Sequence, residues 1–367
     1  MTKFQISNRQ LIIMATIITI GDSMLVLPFV SASASTQDAW ISFLLGTAIG
    51  MSIITFVTFI AKLFPNLTLV QYNEKVFGRW IAMPLSLFYL FYIFLNTSAH
   101  IREIADFLTT QIMPDTPIHA IIFLTLLATI YGARHGIEVI ARTSEVFFPW
   151  LILFMVIIIL LLVKEVKMEH ILPIMETGIK PILRGSIPSA AFPFMELSLF
   201  FMIFPLVKDK SKITKNMLLG AAIGGILIFC MVILSILVLG PYITVTHIYP
   251  SYALAKKIDV GGFLQRIEAT LAILWIMTIF LKISVCLYAF TTGIAQLIKI
   301  KNEKILFMPF GMILYFLSII LAPNIAYFNR FISQYWSLLD FTFAFVVPLL
   351  LLTAFTARKW FGSGNLK

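Results

Sequence analysis

Apolar residues run along this chain in long blocks, separated by short polar stretches that collect Gly, Pro and charged side chains. A helix needs roughly 20 such residues to cross the hydrocarbon of a bilayer. Hydropathy and breaker residues together predict ten helices, at 9–29, 39–61, 80–110, 118–141, 144–163, 187–207, 216–239, 263–298, 305–321 and 335–357. The third and eighth are long for a bilayer, which predicts tilt or protrusion. The polar stretch from Gly132-Ala-Arg-His-Gly136 to Arg142-Thr-Ser144 reads either as a break inside one helix or as a loop between two. The loops 164–186 and 240–262 are the longest. Their prolines and amphipathic pieces, such as Tyr249-Pro-Ser-Tyr-Ala-Leu-Ala-Lys-Lys257, suit short helices across the outer mouth or plain connectors.

Ten spans divide into five plus five, about 9–163 and about 187–357. An inverted repeat predicts interruptions at matching places in the two halves, and such interruptions mark the binding site of many carriers. The first span contains Gly21-Asp-Ser-Met-Leu-Val-Leu-Pro28 and the sixth Gly185-Ser-Ile-Pro-Ser-Ala-Ala-Phe-Pro-Phe-Met-Glu196. Both read as unwound segments at membrane depth, tolerated only where they are buried in protein or line a wet cavity. Half-helix N-termini there suit a carboxylate, and exposed carbonyls suit an ammonium or a cation. An α-amino acid carries both charges. Taken singly, Pro28, Pro188 and Pro193 are also compatible with ordinary kinks.

Composition supports one membrane domain over residues 1–367. Of the 367 residues 60% are apolar and 12% charged, against about 25% charged in a soluble domain. The net charge of +10 does not indicate nucleic acid, because the Lys and Arg residues sit in short loops and not on one face. With the N-terminus inside, the cytoplasmic segments hold 17 of the 27 basic residues and the outer segments 8, which puts both termini in the cytoplasm. Cys230 and Cys286 lie in apolar runs and make no disulfide framework. The stretch from Leu11 to Val30 reads as a first span and not as a cleaved signal peptide.

Ionisable groups inside spans are costly and face the bundle interior. Asp22 lies in the first interruption, Glu196 follows the second, and Lys282 sits in the middle of the eighth span. Lys282 needs a partner, for which Asp22 or Glu196 would serve. Such a pair is either a proton-coupling element, a stand-in for a coupling cation, or a static ion pair. Arg102 and Asp106 share a face at i, i+4 and can pair, as structure or as part of an outer gate. Tyr92, Asn96 and Glu103 share another face. Asn96 either reaches the pocket or bonds between helices. Arg266 and Glu268 sit near the outer end of their span, within snorkelling reach of the interface. His100 falls near the pocket level, and the five histidines show no metal-ligand spacing. No Walker loop, GxSxG or HExxH occurs, so neither an enzyme, a cofactor nor a metal is expected.

Four features carry a family resemblance across nearly the whole chain. They are Ser7-Asn-Arg-Gln10 leading into the broken first helix, Arg102-Glu-Ile-Ala-Asp106, Phe194-Met-Glu196, and Phe263-Leu-Gln-Arg-Ile-Glu268 followed by Trp275. In these the chain resembles the B subunits of spore germinant receptors, the GerAB type of the amino acid–polyamine–organocation superfamily. The resemblance implies an all-α integral membrane protein, a ten-helix bundle of the leucine-transporter type with a 5+5 inverted repeat and broken helices one and six. It implies the spore inner membrane, with both termini toward the spore core, and A and C subunits as partners. It also implies a small-molecule nutrient, often an amino acid, held by Gly21, Asp22, Ser23, Met24, Leu25, Asn96, Phe192, Pro193, Glu196 and Lys282. A sensor that passes the binding signal to partners, an amino acid symporter working by alternating access, and a scaffold or channel subunit without ligand all remain open at this stage.

Overall fold

The computed structural model describes residues 4–258 and 266–361. Phe263, Leu264 and Gln265 of the Phe263–Glu268 motif, the start of the eighth expected span, the end of the 240–262 loop, and the charges of Lys3 and Lys367 lie outside the described residues.

The described chain is almost entirely helical. α1 (Asn8–Ile20) and α2 (Ser23–Ser35) form the interrupted first span. α3 (Ala39–Leu63), a short α4 (Leu69–Phe77) and α5 (Arg79–Phe107) follow, then α6 (Ile118–Arg134) and α7 (Ile137–Leu162). The second half begins with α8 (Ile179–Phe194), continues through α9 (Ile213–Leu234), and crosses the short α10 (Pro241–Thr246) and α11 (Pro250–Ala255) to α12 (Ile267–Leu297). α13 (Phe307–Ile320), α14 (Ile325–Phe331), α15 (Ser337–Phe341) and α16 (Val347–Phe361) complete it. Among the described residues, seven helical stretches are long and apolar enough to cross a membrane, and α1 and α6 are shorter apolar helices.

Local chemistry sets the boundaries. Ser7 and Gln10 close a capping box at the start of α1, and Thr68 and Gln71 do the same for α4. Asn324 accepts from the Tyr327 amide and starts the last helical run at Ile325, ten residues before the expected 335. The break between the fourth and fifth expected spans falls at His135-Gly136 and not near Arg142. Gly136 takes φ +92°, a left-handed conformation that only glycine adopts without strain. Arg142 is instead inside α7, paired to Glu138 at 2.8 Å. The expected sixth span begins at Ile179 and not 187.

Two close helix pairs hold the middle of the bundle, each joining a helix of the first half to one of the second. α3 lies on α8, where a Cβ at Gly46 would meet Ser189 Cβ at 2.5 Å and one at Gly50 would meet Phe194 Cβ at 2.5 Å. α1 lies on α9, where a Cβ at Gly220 would meet the Ile12 carbonyl at 2.5 Å and one at Gly224 would meet Thr19 at 2.8 Å. Glycines four apart let helix backbones approach this closely. The segment before α1 also joins the second half. The Ile6 amide donates to the Leu206 carbonyl (2.7 Å), and the Lys208 amide donates to the Ile6 carbonyl (3.0 Å).

Candidate functional site

The first interruption is real and short. α1 stops at Ile20, the Gly21 amide closes its last turn on the Ile17 carbonyl (2.9 Å), and α2 restarts at Ser23. Asp22 occupies the N-cap position of α2, but its side chain makes no capping bond. The carboxylate is therefore free to turn into the bundle. Gly21 makes room there, since a Cβ would sit 2.7 Å from Lys282 Cδ and 3.3 Å from its Nζ.

The second interruption is of another kind. α8 contains Pro188 and Pro193 and does not unwind. Past Phe194 it tightens into a 3₁₀ helix over Met195–Met202. Pro193 has no N–H to offer the carbonyl one turn back, which loosens the α pattern without ending the helix. The expected unwound stretch between Gly185 and Glu196 is thus a change of winding, with Glu196 in its first turn.

Lys282, fully buried in the middle of α12, joins the two places. Its Nζ pairs with Asp22 Oδ1 (2.5 Å) and with Glu196 Oε2. Glu196 Oε1 accepts from Asn96 Nδ2 (3.1 Å) and Trp336 Nε1 (3.4 Å). His100 Nε2 stands 3.4 Å from Glu196 Oε2 and 3.8 Å from Asp22 Oδ1. Asp22, His100 and Glu196 each bring one ligand atom within 4.8 Å of the others. That is a spacing a metal could use, although the histidine's place in the sequence gives no hint of it. Here a lysine ammonium fills the cage.

Above this cage is a cavity lined in part by Asp22, His100, Glu103, Phe192, Tyr249 and Trp336. Its free space is about 20 Å³, room for a single water. Glu103 is buried and its Oε1 has no partner among the described residues. Tyr249 lies on its wall. Burial, then the charges of Glu103 and Asp106, push its phenol well above the ordinary tyrosine value, so it stays neutral. Of the two expected forms of the 240–262 loop, its described part takes the short helices. α11 is tied to the first interruption by Ser251 Oγ, which donates to the Met24 carbonyl (2.6 Å). Phe107 packs edge-on against Tyr249, Tyr252 and Trp275, with centroids 5.1, 5.3 and 4.8 Å away.

Of the residues singled out in the sequence, Gly21, Asp22, Asn96, Glu196 and Lys282 meet in the cage, and Phe192 lines the cavity. Ser23 is buried with an unpartnered hydroxyl, and the Met24 carbonyl is taken by Ser251. Leu25 and Pro193 are buried but do not line the cavity. Arg102 does bond Asp106, through Nε to both carboxylate oxygens at 3.0 Å. Its Nη1 also caps the end of α13, donating to the carbonyls of Ser318, Ile319 and Ala322. That geometry fastens α5 to α13. Asp340 escaped the sequence reading. It is fully buried and accepts from the Tyr92 hydroxyl at 2.7 Å. As an acid inside the last apolar span it carried the same signal as Asp22 and Lys282. Trp336, Tyr249 and Asn329, which also meet the site, carry no such signal.

Comparison with known proteins adds family and fold. The family described as "Spore germination protein" matches residues 5–326. Spore germination protein KB of Bacillus subtilis (strain 168) is 30% identical over 363 residues, covering 98% of this chain and 96% of that protein. Spore germination protein B2 of the same organism is 21% identical over all of this chain and 99% of its own length. Among solved structures, Mhp1, a nucleobase-cation-symport-1 family transporter in a closed conformation with bromovinylhydantoin bound, superposes with a TM-score of 0.68. Identity is 14%, covering 98% of this chain and 93% of that one. MhsT in complex with L-phenylalanine gives a TM-score of 0.62 at 15% identity, over 95% and 98%. The fold is that of these transporters, with its first and sixth helices interrupted.

Proposed function

The chain belongs to the spore germination protein family, and from that premise we propose that it is the nutrient-binding membrane subunit of a spore germinant receptor. One observation carries the reading: a buried ammonium shared by two acids, each at the interruption of a different helix, beside a small cavity onto which Asp22, His100 and Glu103 also face. Such an arrangement is expensive in hydrocarbon and uncommon without a role.

A small ligand works here by competition. The first amides of α2 offer donors to a carboxylate, while Asp22 and Glu103 offer acceptors to an ammonium. An amino acid satisfies both. About 20 Å³ is far below a ligand's volume, so binding requires the cavity to open around Tyr249, Phe192 and Trp336. Ligand then favours the open arrangement in proportion to its differential affinity, and A and C subunits read the change. Gly21, Asp22, Ser23, Asn96, Phe192, Glu196 and Lys282 are the binding residues in this reading, and its site performs no covalent chemistry. The two halves act as inverted repeats, which the matching α3–α8 and α1–α9 pairs support. The protein lies in the spore inner membrane with both termini toward the core.

A second reading, an amino acid symporter, is favoured by the fold shared with Mhp1 and MhsT. One experiment separates them. The subunit is exchanged between receptors of different nutrient specificity, and the purified chain is assayed for amino acid flux in vesicles. The sensor reading expects specificity to follow the subunit and no flux. Flux from the chain alone overturns it in favour of the carrier, and specificity that stays with the other subunits overturns the sensor reading.

A further inference from the structure

Asp340 has no exposed surface and sits on α15 between two π-helical turns, 332–336 and 342–346. Single π turns in a helix concentrate at functional positions. Tyr92, whose hydroxyl bonds Asp340 Oδ1, is held by stacking on Phe343 at a centroid distance of 4.3 Å. Asp340 Oδ2 has no partner among the described residues, and no Lys, Arg or His of those residues pairs with it. The titratable groups that face it are Tyr92 from α5, Glu196 from the 3₁₀ segment, Lys282 from α12 and Asp22 from the first interruption. Lys282 is already committed to the other two acids. An ionised Asp340 would be a buried charge without a counter-ion, which the neutral acid is not.

α5 links this group to the cavity. Tyr92, Asn96, His100 and Glu103 follow one another at helical spacing on one face. Tyr92 touches Asp340, Asn96 touches Glu196, His100 stands between Glu196 and Asp22, and Glu103 lines the cavity with a free carboxyl oxygen. On the opposite wall Trp336, one turn before Asp340, bonds Glu196. Acids with an unpaired oxygen thus stand at both ends of a polar strip, with an imidazole between them.

We propose that Asp340 is a proton-binding site, loaded from the outer cavity along this face of α5. The proton comes from water at the cavity, passes Glu103 and His100, rests on Asp340 Oδ2 and returns by the same way. No other reactant is consumed, and the site stands whichever nutrient the chain binds.

Infrared spectroscopy of the purified full chain in lipid tests it without any ligand. At neutral pH the wild type should show a protonated-carboxyl carbonyl band that Asp340→Asn lacks. Tyr92→Phe should keep the band and shift it, because its hydrogen bond is gone. In D2O the wild-type band should shift promptly, and Glu103→Gln combined with His100→Phe should slow that shift several-fold. A loss of carboxylate bands and not of the carbonyl band in Asp340→Asn overturns the site. An unchanged exchange rate in the double variant overturns the route.

Discussion

The two interruptions answer the same demand by different means. At the first, the helix stops, two residues pass, and a new helix starts; glycine makes the gap and leaves an acid unused by the backbone. At the second, the helix never stops. Prolines shift its winding, and the acid sits in the first tightened turn. Both acids reach one ammonium. The gap is therefore held open by Lys282 as much as by its own backbone, whereas the 3₁₀ segment keeps its own hydrogen bonds. The first interruption is expected to be the more fragile of the two.

The strongest way to break this contrast is to remove the shared partner. Lys282→Met leaves two buried carboxylates facing each other and should cost about 3–5 kcal/mol, read as a lower Tm or loss of folded protein from the membrane. Adding Asp22→Asn and Glu196→Gln to the same chain should recover most of that loss. If it does not, the charges are not what holds the interruptions together. The contrast sharpens with Gly21→Ala against Pro193→Ala. The first drives a methyl into the Lys282 stem and should cost about 1–3 kcal/mol. The second returns an N–H to a continuous helix and adds no bulk, so it should leave Tm unchanged or raise it. Equal costs would mean the two interruptions do not differ. The smallest effect is expected from Ser251→Ala, which removes the bond to the Met24 carbonyl. About 1 kcal/mol is at stake, and hydrogen exchange should rise at residues 21–25 while the 3₁₀ segment is untouched.

Much of this was visible in the sequence, for a physical reason. Charges inside apolar runs are so costly that each one stands out, and Lys282 needs a partner that Asp22 or Glu196 can supply. Of the motifs that carry the resemblance to spore germination proteins, Phe194-Met-Glu196 reaches the cage through Glu196, and Arg102-Glu-Ile-Ala-Asp106 reaches the cavity through Glu103. Asp340 carried the same kind of signal and went unread. What the sequence does not carry is winding. Pro188 and Pro193 look like an unwound segment, yet a proline removes one donor and leaves the neighbouring bonds free to re-form in a tighter pattern. Nor does composition show that Arg142 continues a helix while Gly136 ends one. That depends on one backbone conformation open to glycine. Trp336 and Tyr249 are ordinary aromatics until tertiary packing turns them inward.

The backbone bridge between Ile6 and the stretch 206–208 has a mechanical consequence. It stitches the leading end of the chain to the trailing end of the tightened helix, so neither can swing without hauling the other along. A tag or deletion reaching Ile6 would cut that seam and leave the close α3–α8 and α1–α9 pairs to carry the joint between the halves alone.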